Sequence, residues 1–282
     1  MATFYNQASI NLGGAVTNSN ITVGEITAGL TLTKIAATSE YGAGEGITYV
    51  VSVVNSGLNE YNGVTLTDNL GRFTVGAQEI TPLTYVDGSV ILYLDGVVQP
   101  APAVTVGEAL EIGAFNLPAG SNATVIYEAR ANQTAPLGAG ASITNTVTLG
   151  GGNCELSDSA TVPTRDEPRL TIAKSVCPGT VTCAGEINYT IIIQNLGNTP
   201  VVATDDLIVN DSFNPILRDI SVALDGAALA EGTGYTYDET TGVFATLPGA
   251  VPVPAATFVR DPETGIITTT PGVAVLTVSG TV

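Results

Sequence analysis

The chain has 282 residues and a formal net charge of −18, and it contains no histidine. The missing histidine excludes histidine-based acid–base catalysis and histidine metal sites. The negative charge argues against nucleic acid or an anionic membrane surface as a partner. No apolar run approaches the length of a membrane span, and the first residues lack the pattern of a secretory signal. We therefore expect no cofactor, no metal, no nucleic acid and no membrane partner.

Composition favours an all-β fold. Valine, threonine and isoleucine are abundant, the chain has 32 glycines and 15 prolines, and long helical stretches are absent. Short strands bounded by turn signals such as NSG, DG and PG are typical of immunoglobulin-like sandwiches. The sequence therefore predicts immunoglobulin-like β-sandwich domains.

The first predicted element is a strand at the start of the chain, in ATFYNQASINLGG. Apolar and polar residues alternate there, as in a strand with one buried face. No neighbouring segment offers a matching partner, so this strand needs a sheet elsewhere. The residues on its predicted buried face are Phe4, Asn6, Ala8, Ile10 and Leu12.

An internal repeat follows this strand. Residues 30–59 match 170–198, and 63–70 match 206–213, with further matches later in each copy. The copies indicate two tandem sandwich domains of the same design. The predicted boundaries are 1–28 for an N-terminal segment, 29–163 for the first domain and 164–282 for the second.

The second copy lacks the closing hairpin of the first. That hairpin, at 142–164, instead has its match at the start of the chain, because 6–23 align without a gap to 145–162. We interpret the N-terminal segment as a donor strand that completes the second domain of a neighbouring copy, with its four apolar buried-face residues as anchors. Two alternatives remain: folding back onto the second domain of the same chain, or a disordered tail.

A polar trio recurs in both copies. The chain has only two lysines, and both follow apolar residues on one face of the first strand of a copy. Both are therefore predicted to point into the core, where a lone ammonium is costly. An aspartate and an asparagine from two other strands share that face. The trios are Lys34, Asp68 and Asn145 in the first domain, and Lys174, Asp211 and the donated Asn6 in the second.

The trio has two interpretations. The lysine and aspartate can form a buried ion pair whose hydrogen bonds the asparagine completes. Alternatively, the lysine amine attacks the asparagine amide and releases ammonia, which leaves an isopeptide bond. Burial favours the neutral amine and carboxyl, and a protonated aspartate acts as the general acid. The predicted bonds are Lys34–Asn145 with Asp68 within one chain, and Lys174–Asn6 with Asp211 between chains.

Other candidate sites are weaker. The acidic segments 204–206 and 238–240 could bind calcium, but neither matches a calcium-loop motif. Cys177 and Cys183 bracket PGTVT, where a hairpin disulfide is possible, and Cys154 is left over for a crosslink between subunits or a free thiol. Three reduced cysteines are the alternative.

The pattern LTLTK, GITYVVSVVNSGLN, VTLTDNL and ITNTVTL resembles the conserved-repeat domain of bacterial surface proteins, catalogued as a domain of unknown function. The resemblance covers 29–163 well and 169–282 partially, and it places the lysine, aspartate and asparagine of the first copy on the family's positions. The chain is also similar to isopeptide-bonded Gram-positive pilin and adhesin domains. Its opening, ATFYNQA, is similar to clostridial spore-appendage proteins, which implies assembly at a spore surface without a signal peptide.

These observations favour a non-enzymatic structural subunit of an extracellular or spore-surface filament, whose partner is itself and possibly other appendage or spore-coat proteins. A surface adhesin or ligand-binding module of the same fold is the alternative. A hydrolase is a third option, although the sequence shows no nucleophile–base motif.

Overall fold

The computed structural model describes residues 2–26, 29–151, 156–182 and 185–282. The described chain is all-β apart from one short 3₁₀ helix at Ala203–Asp205. None of its helices is long and apolar enough to cross a membrane. The all-β, immunoglobulin-like fold predicted from composition and turn signals is thus confirmed. The chain divides into unit 1, Met1–Asn132 with Ile143–Val162, and unit 2, Gln133–Ser142 with Pro163–Val282.

The prediction that no neighbouring segment pairs with the first strand is wrong, because the N-terminal residues form a hairpin with a break in the middle of each arm. Its strands are β1 (Ala2–Asn6), β2 (Ser9–Leu12), β3 (Ala15–Asn18) and β4 (Thr22–Ile26). β1 pairs only with β4, and β2 only with β3, among the described strands. Phe4 is 50% exposed and Ile10 is 71% exposed. The face predicted to be buried is therefore open to solvent in the single chain.

Unit 1 continues as two packed sheets. Its strands are β5 (Leu30–Ala36), β6 (Gly46–Asn55), β7 (Tyr61–Asp68), β8 (Phe73–Val75), β9 (Gln78–Ile80), β10 (Leu83–Tyr85), β11 (Ile91–Leu94), β12 (Val97–Val98), β13 (Ala103–Val106), β14 (Leu110–Leu117), β15 (Asn122–Ala131), β16 (Ser142–Gly150) and β17 (Leu156–Pro163). One sheet has the order β12-β11-β15-β6-β5, with β10 beside β15, and the other has the order β13-β14-β7-β16-β17. Alternating residues of these strands are buried between the sheets, as in a sandwich core.

Unit 2 repeats the first of these sheets. Its strands are β18 (Leu170–Cys177), β19 (Glu186–Asn195), β20 (Asn210–Ser212), β21 (Arg218–Leu224), β22 (Ala227–Leu229), β23 (Tyr235–Asp238), β24 (Val243–Thr246), β25 (Thr257–Arg260), β26 (Ile267–Thr270) and β27 (Gly272–Thr281). The order β18-β19-β27-β21-β22 corresponds to β5-β6-β15-β11-β12 of unit 1.

The second sheet of unit 2 is smaller. Its order is β20-β24-β23, so β20 has only β24 beside it in the described chain. The corresponding strand of unit 1, β7, lies between β14 and β16. Unit 2 thus has an open sheet edge where unit 1 has its closing strands β16 and β17.

Candidate functional site

The polar trio of unit 1 forms one buried cluster. Lys34 lies on β5, Asp68 ends β7 and Asn145 lies on β16, each at an inward position of its strand, and all three are at most 3% exposed. Lys34 Nζ forms an ion pair with Asp68 Oδ2. Tyr127 connects the third member, because its hydroxyl donates to Asp68 Oδ2 at 2.5 Å and accepts from Asn145 Nδ2 at 3.3 Å. The structure therefore brings the predicted residues of unit 1 together.

The surroundings of Lys34 favour its neutral form. Its amine lies 4.7 Å from the ring centroid of Tyr49, which stacks on Tyr127. Burial lowers the pKa of Lys34 to about 8, although the charge of Asp68 partly opposes this change. Burial and the same carboxylate raise the pKa of Tyr127 well above its usual value, so this hydroxyl keeps its proton.

Backbone groups fix the Asn145 amide. The Gly71 N–H donates to Asn145 Oδ1 at 3.1 Å and is shared with Asn69 Oδ1 at 3.0 Å. Gly71 has φ +72°, and a Cβ there would lie 2.6 Å from Ile143 Cγ2. Glycine is thus required at a turn that aims an N–H at the amide oxygen. That oxygen would carry negative charge if an amine attacked the amide carbon.

The corresponding pair of unit 2 is open to solvent. Lys174 and Asp211 form an ion pair, but their side chains are 37% and 15% exposed, whereas both members of the unit 1 pair are fully buried. Lys174 is therefore not buried in the single chain, and its place in a core completed by a donated strand stays a prediction. The side chain lies on the sandwich side of β18, but no closing strand covers it in the described chain.

A groove leads along unit 2 towards this pair. It has a volume of about 260 Å³ and is lined mainly by apolar side chains of β18, β19 and the segment before β20. Leu170 is 37% exposed, whereas its counterpart in unit 1, Leu30, is only 5% exposed. The lining residues are Leu170, Thr171, Ile172, Ile193, Leu207, Ile208, Val209 and Asn210.

The hairpin aligns with the closing strands of unit 1. Phe4, Ala8 and Ile10 stand where unit 1 has three side chains that are at most 2% exposed, namely Ile143, Val147 and Leu149. The fourth predicted anchor, Leu12, corresponds to the exposed Gly151, so the comparison with unit 1 gives it no buried counterpart.

Three side chains of interest were not among the residues predicted from the sequence. Ile21 and Val23 are 57% and 62% exposed, yet they correspond to Ala160 and Val162, which are buried on β17. Their period-2 spacing in NITV was the available signal. Tyr127 was also missed, because its contact with the trio depends on the register between β15 and β6 rather than on a local pattern.

The remaining candidates are the acidic segments and the cysteines. Asp238, in one acidic segment, accepts hydrogen bonds from Thr240 and Thr241, and these bonds lower its pKa to about 2. No group of three metal-binding side chains occurs in the described residues. Cys177 is exposed, while Cys154 and Cys183 lie outside the described residues, so the proposed disulfide remains a prediction.

No family model and no curated protein matches the chain. Among similar solved structures, BcpA, the major pilin subunit of Bacillus cereus, is 14% identical, covering 96% of this chain and 73% of that one with a TM-score of 0.35. The pilus backbone RrgB of Streptococcus pneumoniae is 12% identical, covering 86% and 55%, with a TM-score of 0.36. The collagen-binding subdomain of the Enterococcus faecalis surface protein ACE is 8% identical, covering 50% and 100%, with a TM-score of 0.32. Likenesses this distant carry no argument about function.

Proposed function

We propose that this chain is the structural subunit of an extracellular or spore-surface filament. Each subunit inserts its N-terminal hairpin into unit 2 of the next, and the filament grows head to tail. The observation that carries the proposal is the open groove and sheet edge of unit 2. The exposed hairpin aligns without a gap to the strands that close unit 1.

Burial of the hairpin supplies the driving force. Phe4, Ile10 and Val23 are at least half exposed in the single chain, and each contributes roughly 1.5–3 kcal/mol when fully buried. The hairpin already has its strand conformation, which reduces the entropy lost on docking. The N–H and C=O groups at the free edge of β20 gain partners in the same event.

We further propose that the buried cluster of unit 1 forms an isopeptide bond. With a pKa of about 8, about one tenth of Lys34 is neutral at pH 7. The amine nitrogen bonds to Asn145 Cγ, the Cγ–Nδ2 bond breaks, and Nδ2 leaves as ammonia. The ammonium nitrogen loses two hydrogens: one departs with the ammonia, and the other remains on Asp68 as a protonated carboxyl. Asp68 carries both protons and so acts as the general acid and base.

The same reaction would join subunits. A docked hairpin places Asn6 where Asn145 lies in unit 1, beside the Lys174–Asp211 pair. Docking would also remove this pair from water, as the pair of unit 1 already is. Each filament would then be a single covalent chain.

Deletion of residues 1–23 tests the assembly. We expect the truncated chain to remain a monomer by light scattering and electron microscopy, because unit 2 receives no donated strand. The matched control is the full-length chain under the same conditions, which should form filaments. Filaments of the truncated chain would contradict strand donation, and a full-length chain that stays monomeric would favour an adhesin or ligand-binding module.

A further inference from the structure

We propose that Tyr127 is the positioning residue for bond formation in unit 1. Unit 2 has Val278 at the corresponding position, and its cross-link therefore forms more slowly than the bond of unit 1. This inference rests on the isopeptide chemistry of the proposed function. The two sites have the same three residue types, a lysine, an aspartate and an asparagine, but differ in the residues around them.

The hydroxyl of Tyr127 lies between the acid and the leaving group. It donates to Asp68 Oδ2 at 2.5 Å and accepts from Asn145 Nδ2, the nitrogen that must depart, at 3.3 Å. With the Gly71 N–H on Asn145 Oδ1, the two ends of the amide are held by different partners. The amide therefore cannot rotate to exchange its oxygen and nitrogen without losing both bonds. The oxygen faces a donor, and the nitrogen faces the side from which Asp68 delivers a proton.

Strand register identifies the matching position in unit 2. Tyr49 and Tyr189 are counterparts, since each follows the lysine of its copy by 15 residues. Tyr127 pairs with Tyr49 across the sheet, and Val278 pairs with Tyr189. Val278 is fully buried and has no hydroxyl.

A different aromatic residue fills this part of unit 2. Phe213, which follows Asp211 by two residues as Leu70 follows Asp68, lies 5.0 Å from the ring of Tyr189. Lys174 Nζ lies 4.9 Å from the Phe213 centroid. Unit 1 thus combines leucine with tyrosine, and unit 2 combines phenylalanine with valine. The combined volume of the two side chains is similar, but unit 2 has no hydroxyl at the position of Tyr127 to orient the amide.

Loss of the hydroxyl provides the first test. Tyr127→Phe chains made by cell-free synthesis are sampled over time, and the Lys34–Asn145 peptide is quantified by mass spectrometry. We expect bond formation at least roughly tenfold slower than in Tyr49→Phe, at similar thermal stability. Tyr49→Phe is the matched comparison because it removes a buried hydroxyl from the ring stacked on Tyr127, while the hydrogen bond from Tyr127 to Asp68 stays in place. Equal rates in the two variants would overturn the proposal.

Transfer of the hydroxyl provides the second test. The double variant Phe213→Leu/Val278→Tyr gives unit 2 the side chains of unit 1, and we expect Lys174–Asn6 bonds to form several-fold faster than in wild type. Phe213→Leu alone should not accelerate them, because it adds no hydroxyl. An unchanged rate in the double variant would refute the role of Val278. A wild-type unit 1 that never loses ammonia would instead refute the underlying chemistry, and this inference with it.

Discussion

Lys34 occupies a position where an apolar residue would be expected, since most buried side chains of unit 1 are apolar or aromatic. A buried ion pair often adds little to the stability of a fold, because the cost of removing both charges from water can exceed the attraction between them. The cluster therefore costs stability until it reacts, and an amide bond between Lys34 and Asn145 would remove the buried charge altogether.

The pH dependence of an unreacted unit 1 reveals this cost. In Asn145→Ala, Lys34 keeps its amine, whose pKa is about 8 when folded and 10.5 when free. Between these values the unfolded chain binds more protons, so the free energy of unfolding should rise by about 2 to 3 kcal/mol from pH 7 to 10. Above pH 10 the raised pKa values of Tyr49 and Tyr127 act in the opposite direction, because unfolded tyrosines ionise first. Urea titrations of the unit 1 transition at several pH values provide the measurement.

The matched control for this titration is Lys34→Met/Asn145→Ala, which lacks the amine but keeps Asp68. Its stability should rise less between pH 8 and 10. Parallel curves for the two variants would show that Lys34 is not the group responsible.

At the scale of the element, the unit 2 strand β18 differs from its counterpart β5 in exposure. Every residue of β18 is exposed, whereas β5 buries Leu30 and Lys34. The sequences LTIAK and LTLTK are nearly the same, so the difference comes from the absence of closing strands over β18. A strand of this kind has an apolar face that only another chain segment can cover.

Substitution on β18 separates folding from assembly. Ile172 is 64% exposed, so Ile172→Asp should change the stability of the monomer by no more than about 0.5 kcal/mol. It should nevertheless abolish filament formation, because it places a charge in the apolar groove. Leu30→Asp, at a buried position of β5, is the contrasting variant and should strongly destabilise unit 1. Normal filaments of Ile172→Asp would show that the apolar groove along β18 does not receive the hairpin.

The sequence predicted the sandwich fold, the repeat and the unmatched closing hairpin, because these follow from periodicity and from spacing between similar segments. The match of 206–213 to 63–70 did not show that β-structure in this segment is confined to Asn210–Ser212. Strand formation in that segment depends on a neighbour, and the corresponding strand in unit 1 has one on each side. Tyr127 could not be predicted from the sequence for a related reason, because its hydrogen-bond partners lie on strands that are distant in sequence.

At the scale of the whole molecule, the proposed cross-link would give each chain one donor, Asn6, and one acceptor, Lys174. Asn6→Ala retains the acceptor Lys174, and Lys174→Ala retains the donor Asn6. An equal mixture should therefore give covalent dimers and nothing longer after boiling in detergent with reductant, because each pair can form only one bond. Wild type should give a ladder, and each variant alone should give monomers. Ladders from either variant alone would show that subunits are joined by other residues.

The positions of the two trios also decide which parts of the subunit carry tension. A pull along a filament joined in this way passes from Asn145 through the backbone to Lys174, crosses to Asn6 of the next subunit, continues to its Lys34 and crosses to its Asn145. Residues 35–144 and 175–282 lie outside this path, although they contain most of both sandwich cores. Stretching would then load the hairpin, the linker and the first and closing strands, and the two cores could not be unravelled by force without breaking a covalent bond.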